Sequence, residues 1–277
     1  MGENACSNKW PVADFTRCTS LQGHLEGVTA FSHRVFSDRL ALRSFRVAGF
    51  KPEAALAIAA GLHDIAKASL YYRGKGNFAL HEHAAAALLY EASRDCRSYS
   101  SHLTLILASK AIARHHSAME GRRPKDVVRE GRSGEVLEAL SRLRKDYVGK
   151  ALSWSRELRD LALAALNSLQ TSASPERLRN VLNHLGGLGN IPGVERGLEA
   201  RVLWAVTGYL IVSDILVAAL ERGEEGREDT DKLAAYARYW LSELGFDSLS
   251  DVGRAVSEAR ADGRYRSLIA ETLEDCL

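Results

Sequence analysis

Three features are scarce or missing in this 277-residue chain, and each absence excludes a class of function. No stretch approaches the roughly 20 uninterrupted apolar residues of a membrane span, so no membrane contact is expected. No GxxxxGK(S/T) phosphate loop is present, so the chain cannot unwind duplex nucleic acid by the usual ATPase route. Only four cysteines occur, Cys6, Cys18, Cys96 and Cys276, and none forms a CxxC pair. A zinc ribbon is therefore not expected, and the cysteines read as inert thiols, with a disulfide between distant partners as the alternative. Glutamine is also rare, Gln22 and Gln170 being the only two, as in many thermophilic proteins. Met1 to Ser7 lack the basic start and apolar run of a signal peptide, so a cytoplasmic location is expected. Neither sign of charge dominates: the formal net charge is +2. Any nucleic-acid contact must then come from a local basic patch.

What is present is ordinary globular composition, 46% hydrophobic and 26% charged, arranged with helical periodicity and almost no strand alternation. The expected fold is all-α, one domain over 1–277, with a core over about 21–220 and a helical appendage over about 221–277. A first helix is expected from near His24 to Val47, with Val28, Phe31, Val35, Leu42 and Phe45 as its apolar face. Pro52 suits the first turn of an alanine-rich second helix reaching Lys67. Further helices are expected over Phe78–Arg94, Ser101–His115, Glu135–Lys150, Leu152–Gln170, Pro175–Leu185 and Val194–Leu220. Ser174 would cap the Pro175 helix. Thr230 would cap another, ending at Leu244, and two short helices would follow. Tyr71–Asn77 and Gly186–Gly193 read as glycine-broken loops, and Ser117–Gly134 as a mobile basic insertion.

The nine histidines are not scattered at random. His24 opens the first helix, and His63-Asp64 closes the alanine-rich one. His81-Glu82-His83 opens the third, and His115-His116 closes the fourth. Asp214 stands inside the apolar run Leu210–Leu216, where an unpaired charge is costly to bury and a metal ion would compensate it. Imidazoles suit first-row transition metals, and a carboxylate between two ions can bridge them. Two ions about 3.5–4 Å apart can clamp both oxygens of a phosphodiester displacement. Each element taken alone has a plainer reading, from chance dipeptide to buried hydrogen-bonding aspartate. His81 and His83, two residues apart, point to roughly opposite faces of a helix, so one is expected among the ligands and the other reads as supporting or exposed. His33, His102 and His184 read as structural or exposed.

The order His24, His63-Asp64-Ile65-Ala66-Lys67, His81-Glu82 followed by Ala85-Ala86, His115-His116 and Asp214 resembles the HD superfamily of metal-dependent phosphohydrolases. Within it, the chain is most similar to the stand-alone HD nuclease of type I CRISPR interference, over roughly Leu21–Leu220. The resemblance implies an all-α enzyme that cuts single-stranded DNA with two divalent ions (manganese, nickel, cobalt, iron or magnesium). It implies one ion among His24, His63, Asp64 and Asp214, and a second among His81, His115 and His116, with Asp64 shared and catalytic. Lys67 matches the lysine of the family's HD-x-G-K run, where it contacts a phosphate oxygen. Ala66 replaces the usual glycine, and Ala85 replaces a common serine. The implied partners are a separate CRISPR helicase and the RNA-guided surveillance complex.

Arg122, Arg123 and Lys125, in the insertion after His116, read either as a phosphate-guiding lip or as a solvated loop balanced by Glu120, Asp126 and Glu130. Arg73 and Lys75 have the same two readings, and Tyr71 and Tyr72 either stack on bases or pack in the core. Two other functions use the same scaffold: a nucleotide or cyclic-nucleotide phosphohydrolase, with its substrate in a closed pocket, and a non-catalytic adaptor. An open cleft flanked by basic side chains would favour the nuclease, and an enclosed cavity the nucleotidase.

Overall fold

Alanine sets the centre of the fold. Helix α2 (Pro52–Leu62) buries every residue from Ala54 to Leu62, and its small side chains let neighbours approach from several sides. The computed structural model describes the chain apart from residues 1–5, 7–8, 16, 41–48, 50, 74, 118–120, 190, 192–193 and 224–231, and the side chains of 232–235. Among the described residues there are fourteen α-helices and no sheet, which makes the protein all-α. Around α2 lie α1 (Leu21–Leu40), α5 (Tyr99–Ile112) and α11 (Arg196–Arg222), while α4 (His81–Ala92) covers α5 from outside. Gly61 marks how tightly α2 is enclosed: a Cβ there would stand 2.6 Å from a terminal methyl of Leu158.

Several boundaries differ from those expected. Helix α2 stops at Leu62, not Lys67, and a short 3-10 turn, Ile65–Ala68, follows. Leu42, Phe45, Val47 and Thr230 lie outside the described residues. The basic insertion is not a simple loop: Pro124–Arg129 form α6 and Ser133–Ser141 form α7. The expected Glu135–Lys150 helix is two helices, because Leu70 N donates to Arg142 O and Ser69 Oγ to Ala139 O. The chain resumes as α8 (Lys145–Ala151) and α9 (Arg156–Ser172). Ser174 caps α10 (Pro175–Gly186) as expected, accepting from Arg177 N.

The last helices, α12 (Lys232–Leu244), α13 (Leu249–Asp262) and α14 (Arg264–Leu273), belong to the same core. Helix α13 packs on α1 and α11, and α14 on α2 and α9. The cysteines are not inert thiols: Cys6 pairs with Cys18, and Cys96 with Cys276. One helix, α11, is long and apolar enough to match a membrane span, contrary to the expectation of none, and 56% of its apolar window is buried inside the protein.

Candidate metal centre

The end of α2 delivers the first two candidate ligands. His63 caps the helix with its N–H on Ala59 O, and Asp64 leaves it with φ −106 and ψ 2, in the sparsely populated bridge region where active-site residues often sit. Because the helix breaks there, both side chains reach one cluster. His81 starts α4 directly after Leu80, which is held left-handed at φ 65 and ψ 13. That conformation costs a leucine roughly 1–2 kcal/mol, and its complete burial retains it. His115 and His116 follow the end of α5, His24 lies in the first turn of α1, and Asp214 projects from the middle of α11.

All seven candidate ligands converge, in two groups. Asp64, His81, His115 and His116 offer one donor atom each within 4.8 Å of one another, and so do His24, His63 and Asp214. Asp64 faces both groups. Its Oδ1 is 2.7 Å from His81 Nε2, and its Oδ2 is 3.5 Å from both His24 Nε2 and His63 Nε2. Asp214 Oδ1 completes the second group, 3.2 Å from His24 Nε2 and 3.6 Å from His63 Nε2. Donors about 2.1 Å from one ion stand about 3.0–3.4 Å apart at octahedral or tetrahedral angles; the 3.2–3.6 Å spacings around His24 and His63 lie near that range, while Asp64 and His81 stand at hydrogen-bond distance.

The hydrogen bonds make the same point. His63, His81 and His115 each donate Nδ1–H to a backbone carbonyl, of Ala60, Phe78 and Ile112. His24 Nδ1 lies 2.9 Å from Glu221 Oε2. Fixing Nδ1 in this way presents Nε2 as a lone pair. The four Nε2 atoms and both oxygens of Asp64 are buried and lack well-directed hydrogen bonds, although His81 Nε2 and Lys67 Nζ stand against Asp64 and His24 Nε2 against Asp214. Buried polar atoms are rarely left so poorly satisfied, and this many in one cluster fit a metal centre.

Without ions, the charges sort themselves accordingly. Burial alone would lower His24, but Asp214 and Glu221 outweigh it and push it up to about 10. Burial would raise Asp64, yet Lys67, His63 and His81 hold its carboxyl well below the usual range. Asp214 is likewise depressed, by His24 and His63 against burial. Burial and the neighbouring imidazoles lower His115 strongly and bring His116 to about 4.

Of the other expected residues, Lys67 takes a place in the centre, with Nζ paired to Asp64 and bonded to Ala13 O. The Arg122 side chain, expected either at a phosphate-guiding lip or in a solvated loop, is turned towards the core. Its guanidinium makes a two-pronged bond to the fully buried Glu82, beside His81. His83 is buried, not exposed, and shares that knot: its Nε2 meets Arg122 O at 3.0 Å, and burial lowers it to about 4. Tyr71 and Tyr72 are core residues. Lys75 pairs with the Tyr71 hydroxyl, while Arg123 and Lys125 are exposed.

The centre opens into a cavity of about 530 Å³, lined by His24, Lys67, His115, His116, Asp214 and Glu221, with Ile211, Ile215, Ala218 and Tyr236 as its apolar wall. Arg222 also lines it, but none of Arg73, Lys75, Arg122, Arg123 and Lys125 does. Sequence reasoning missed Glu221, although a signal existed: it lies two turns after Asp214 on the same face of α11. Comparison with protein-family models, curated proteins and solved structures finds no match.

Proposed function

We propose that the chain is a metal-dependent phosphohydrolase that cuts phosphodiesters with two divalent ions, and that its substrate is single-stranded DNA. The observation that carries the chemistry is the convergence of five imidazoles and Asp214, in two groups, around Asp64. The resemblance of the motif order to the HD nucleases supports the substrate and a separate helicase as partner. His24, His63, Asp64 and Asp214 would hold one ion, and Asp64, His81, His115 and His116 the other. Such ions supply Lewis acidity to phosphoryl oxygens and lower the pKa of a water.

The residues themselves have definable parts. Asp64 holds the two halves together and, with Lys67 beside it, keeps its charge where a proton would block it. Lys67 also lines the cavity, so its ammonium can turn towards a phosphate oxygen. Glu221 and the three carbonyls fix the imidazole rings. Asp14, Asp214 and Glu221 set three carboxylates in the cavity against Lys67 and Arg222, and bound ions would offset them where a phosphate enters.

A second reading, hydrolysis of small nucleotides, is favoured by the cavity itself, whose wall is apolar and which the expected basic loops do not line. Metal-stripped protein given manganese, nickel or magnesium should be assayed on single-stranded DNA, duplex DNA and small phosphodiesters, beside Asp64→Ala. Cutting of single strands that needs the metal and is lost in the variant supports the nuclease. Turnover of small esters alone selects the second reading, and equal activity in Asp64→Ala removes this centre as the active site.

A further inference from the structure

The wall of the cavity has a pattern of its own. Ile211, Ile215 and Ala218 recur at helical spacing on the face of α11 that also carries Asp214 and Glu221. All three are partly exposed, whereas Val212, Leu216, Val217 and Ala219 on the other side of this stretch of helix are buried. Tyr236 of α12 lines the same cavity, its aromatic ring left 42% exposed. Trp240, one turn on, packs edge-on against it, with centroids 6.2 Å apart and planes at 75°, which restrains the phenol ring. An apolar wall with one aromatic ring thus adjoins the candidate metal ligands, with Lys67 and Arg222 as the cations of the same cavity, and together they form a candidate slot.

Resting on the phosphodiesterase reading, we propose that this slot binds the base of the nucleotide next to the scissile phosphate, between Tyr236 and the Ile211–Ile215–Ala218 face. The occupant follows from the chemistry on either side. A bare phosphate or an aliphatic ester leaves the apolar wall wet, and a purely apolar ligand leaves the donors without an anion. A nucleotide carries an aromatic face and a phosphate on one short frame. Base stacking on an aromatic side chain tolerates any sequence, because every base has a π-face. The slot therefore gives affinity for nucleotides without base preference, at a site where the basic loops contribute nothing.

The test compares binding of deoxyadenosine monophosphate with that of deoxyribose 5-phosphate by calorimetry on manganese-loaded protein, with Tyr236→Ala and Tyr236→Phe alongside. The base should tighten binding roughly ten- to a hundredfold, as stacking on one ring does. Tyr236→Ala should remove most of that gain, Tyr236→Phe should keep it, and deoxyribose 5-phosphate should bind all three alike. Ile215→Asn, on the opposite side, should also reduce the gain. Equal affinity for the two ligands in the wild type overturns the slot, as does a Tyr236→Ala variant that retains the full difference. Cleavage of a single-stranded oligonucleotide and its abasic counterpart separates the two levels. A wild type that cuts both strands equally keeps the phosphodiesterase and loses the slot, and one that cuts neither loses both.

Discussion

The ion site of His24, His63 and Asp214 should bind metal with an affinity that climbs with pH, because the ion must displace a proton. In the ion-free protein His24 is held up to about 10 by Asp214 and Glu221. At pH 7 that proton lies about three units below its release, so displacing it costs ~4 kcal/mol at 1.36 kcal/mol per unit. Apparent affinity should then rise about tenfold per pH unit between pH 7 and 9, with about one proton released per ion. The site of His115 and His116 starts unprotonated at neutral pH, since both lie well below their usual value, and its affinity should stay nearly flat. Glu221→Ala removes one of the carboxylates holding the His24 proton, which shortens the slope. It also deletes the bond that orients the ring, which weakens binding by roughly 10–100-fold. The two effects oppose each other near pH 7, and the loss of orientation dominates at pH 9. The same raised value stabilises the ion-free fold, fully below about pH 6.5, and that contribution disappears as pH rises through about 10. Calorimetric manganese titrations, in buffers of different ionisation enthalpy, read both affinity and protons released. Flat affinity with no proton release in the wild type refutes the reasoning, and so does an unchanged slope in Glu221→Ala.

Arg122→Ala should lower stability by about 3–5 kcal/mol, because it strands a buried carboxylate at Glu82; thermal unfolding checks this, and a variant as stable as the wild type makes Arg122 a surface residue after all. Lys110 and Glu199 form a buried pair that also grips Gly187 O and Gly189 N behind the end of α5. Lys110→Met should cost about 3–5 kcal/mol, or roughly 2–4 °C in Tm per kcal/mol. The double variant with Glu199→Leu should recover part of that loss, since no lone charge remains. Replacing Cys96 and Cys276 with serine opens a loop of sequence separation 180 and should cost about 2–5 kcal/mol. Reduction of the wild type, which also opens Cys6–Cys18, should cost at least as much in a denaturant titration.

The fold was legible where local chemistry decides it. Pro52 and the alanine run predict α2, and Ser174-Pro175 predict the start of α10. Legibility fails where a tertiary contact ends a helix. Nothing between Glu135 and Lys150 breaks the periodicity, and the division comes from Ser69 and Leu70 taking the carbonyls of Ala139 and Arg142. The basic insertion was misread for another reason. Pro124 and Gly131 look like loop punctuation, yet Pro124 begins α6, and Gly131, at φ +70, follows its end. The same two residues mark the ends of a helix as readily as a loop.

The candidate site divides along a similar line. The seven donors were legible because imidazole and carboxylate at helix ends have few inexpensive alternatives in a core. The choice of His81 over His83 rested on the motif His81-Glu82 with Ala85-Ala86, side-chain direction saying only that the two point apart, and the structure puts His83 in neither donor group. Arg122 could not be placed from its own position, since a guanidinium serves a phosphate and a carboxylate equally well. Its partner held the information. Glu82 lies one residue from the ligand His81 in a helix that is otherwise almost wholly buried, and a buried glutamate requires a cation. Burial of α4 follows from its run of alanines and leucines, so the sequence already demanded an arginine or lysine for Glu82. The nearest unassigned cations in chain order after the ligands of α5 are Arg122 and Arg123. One of that pair was therefore owed to the core before either was available to a nucleic acid.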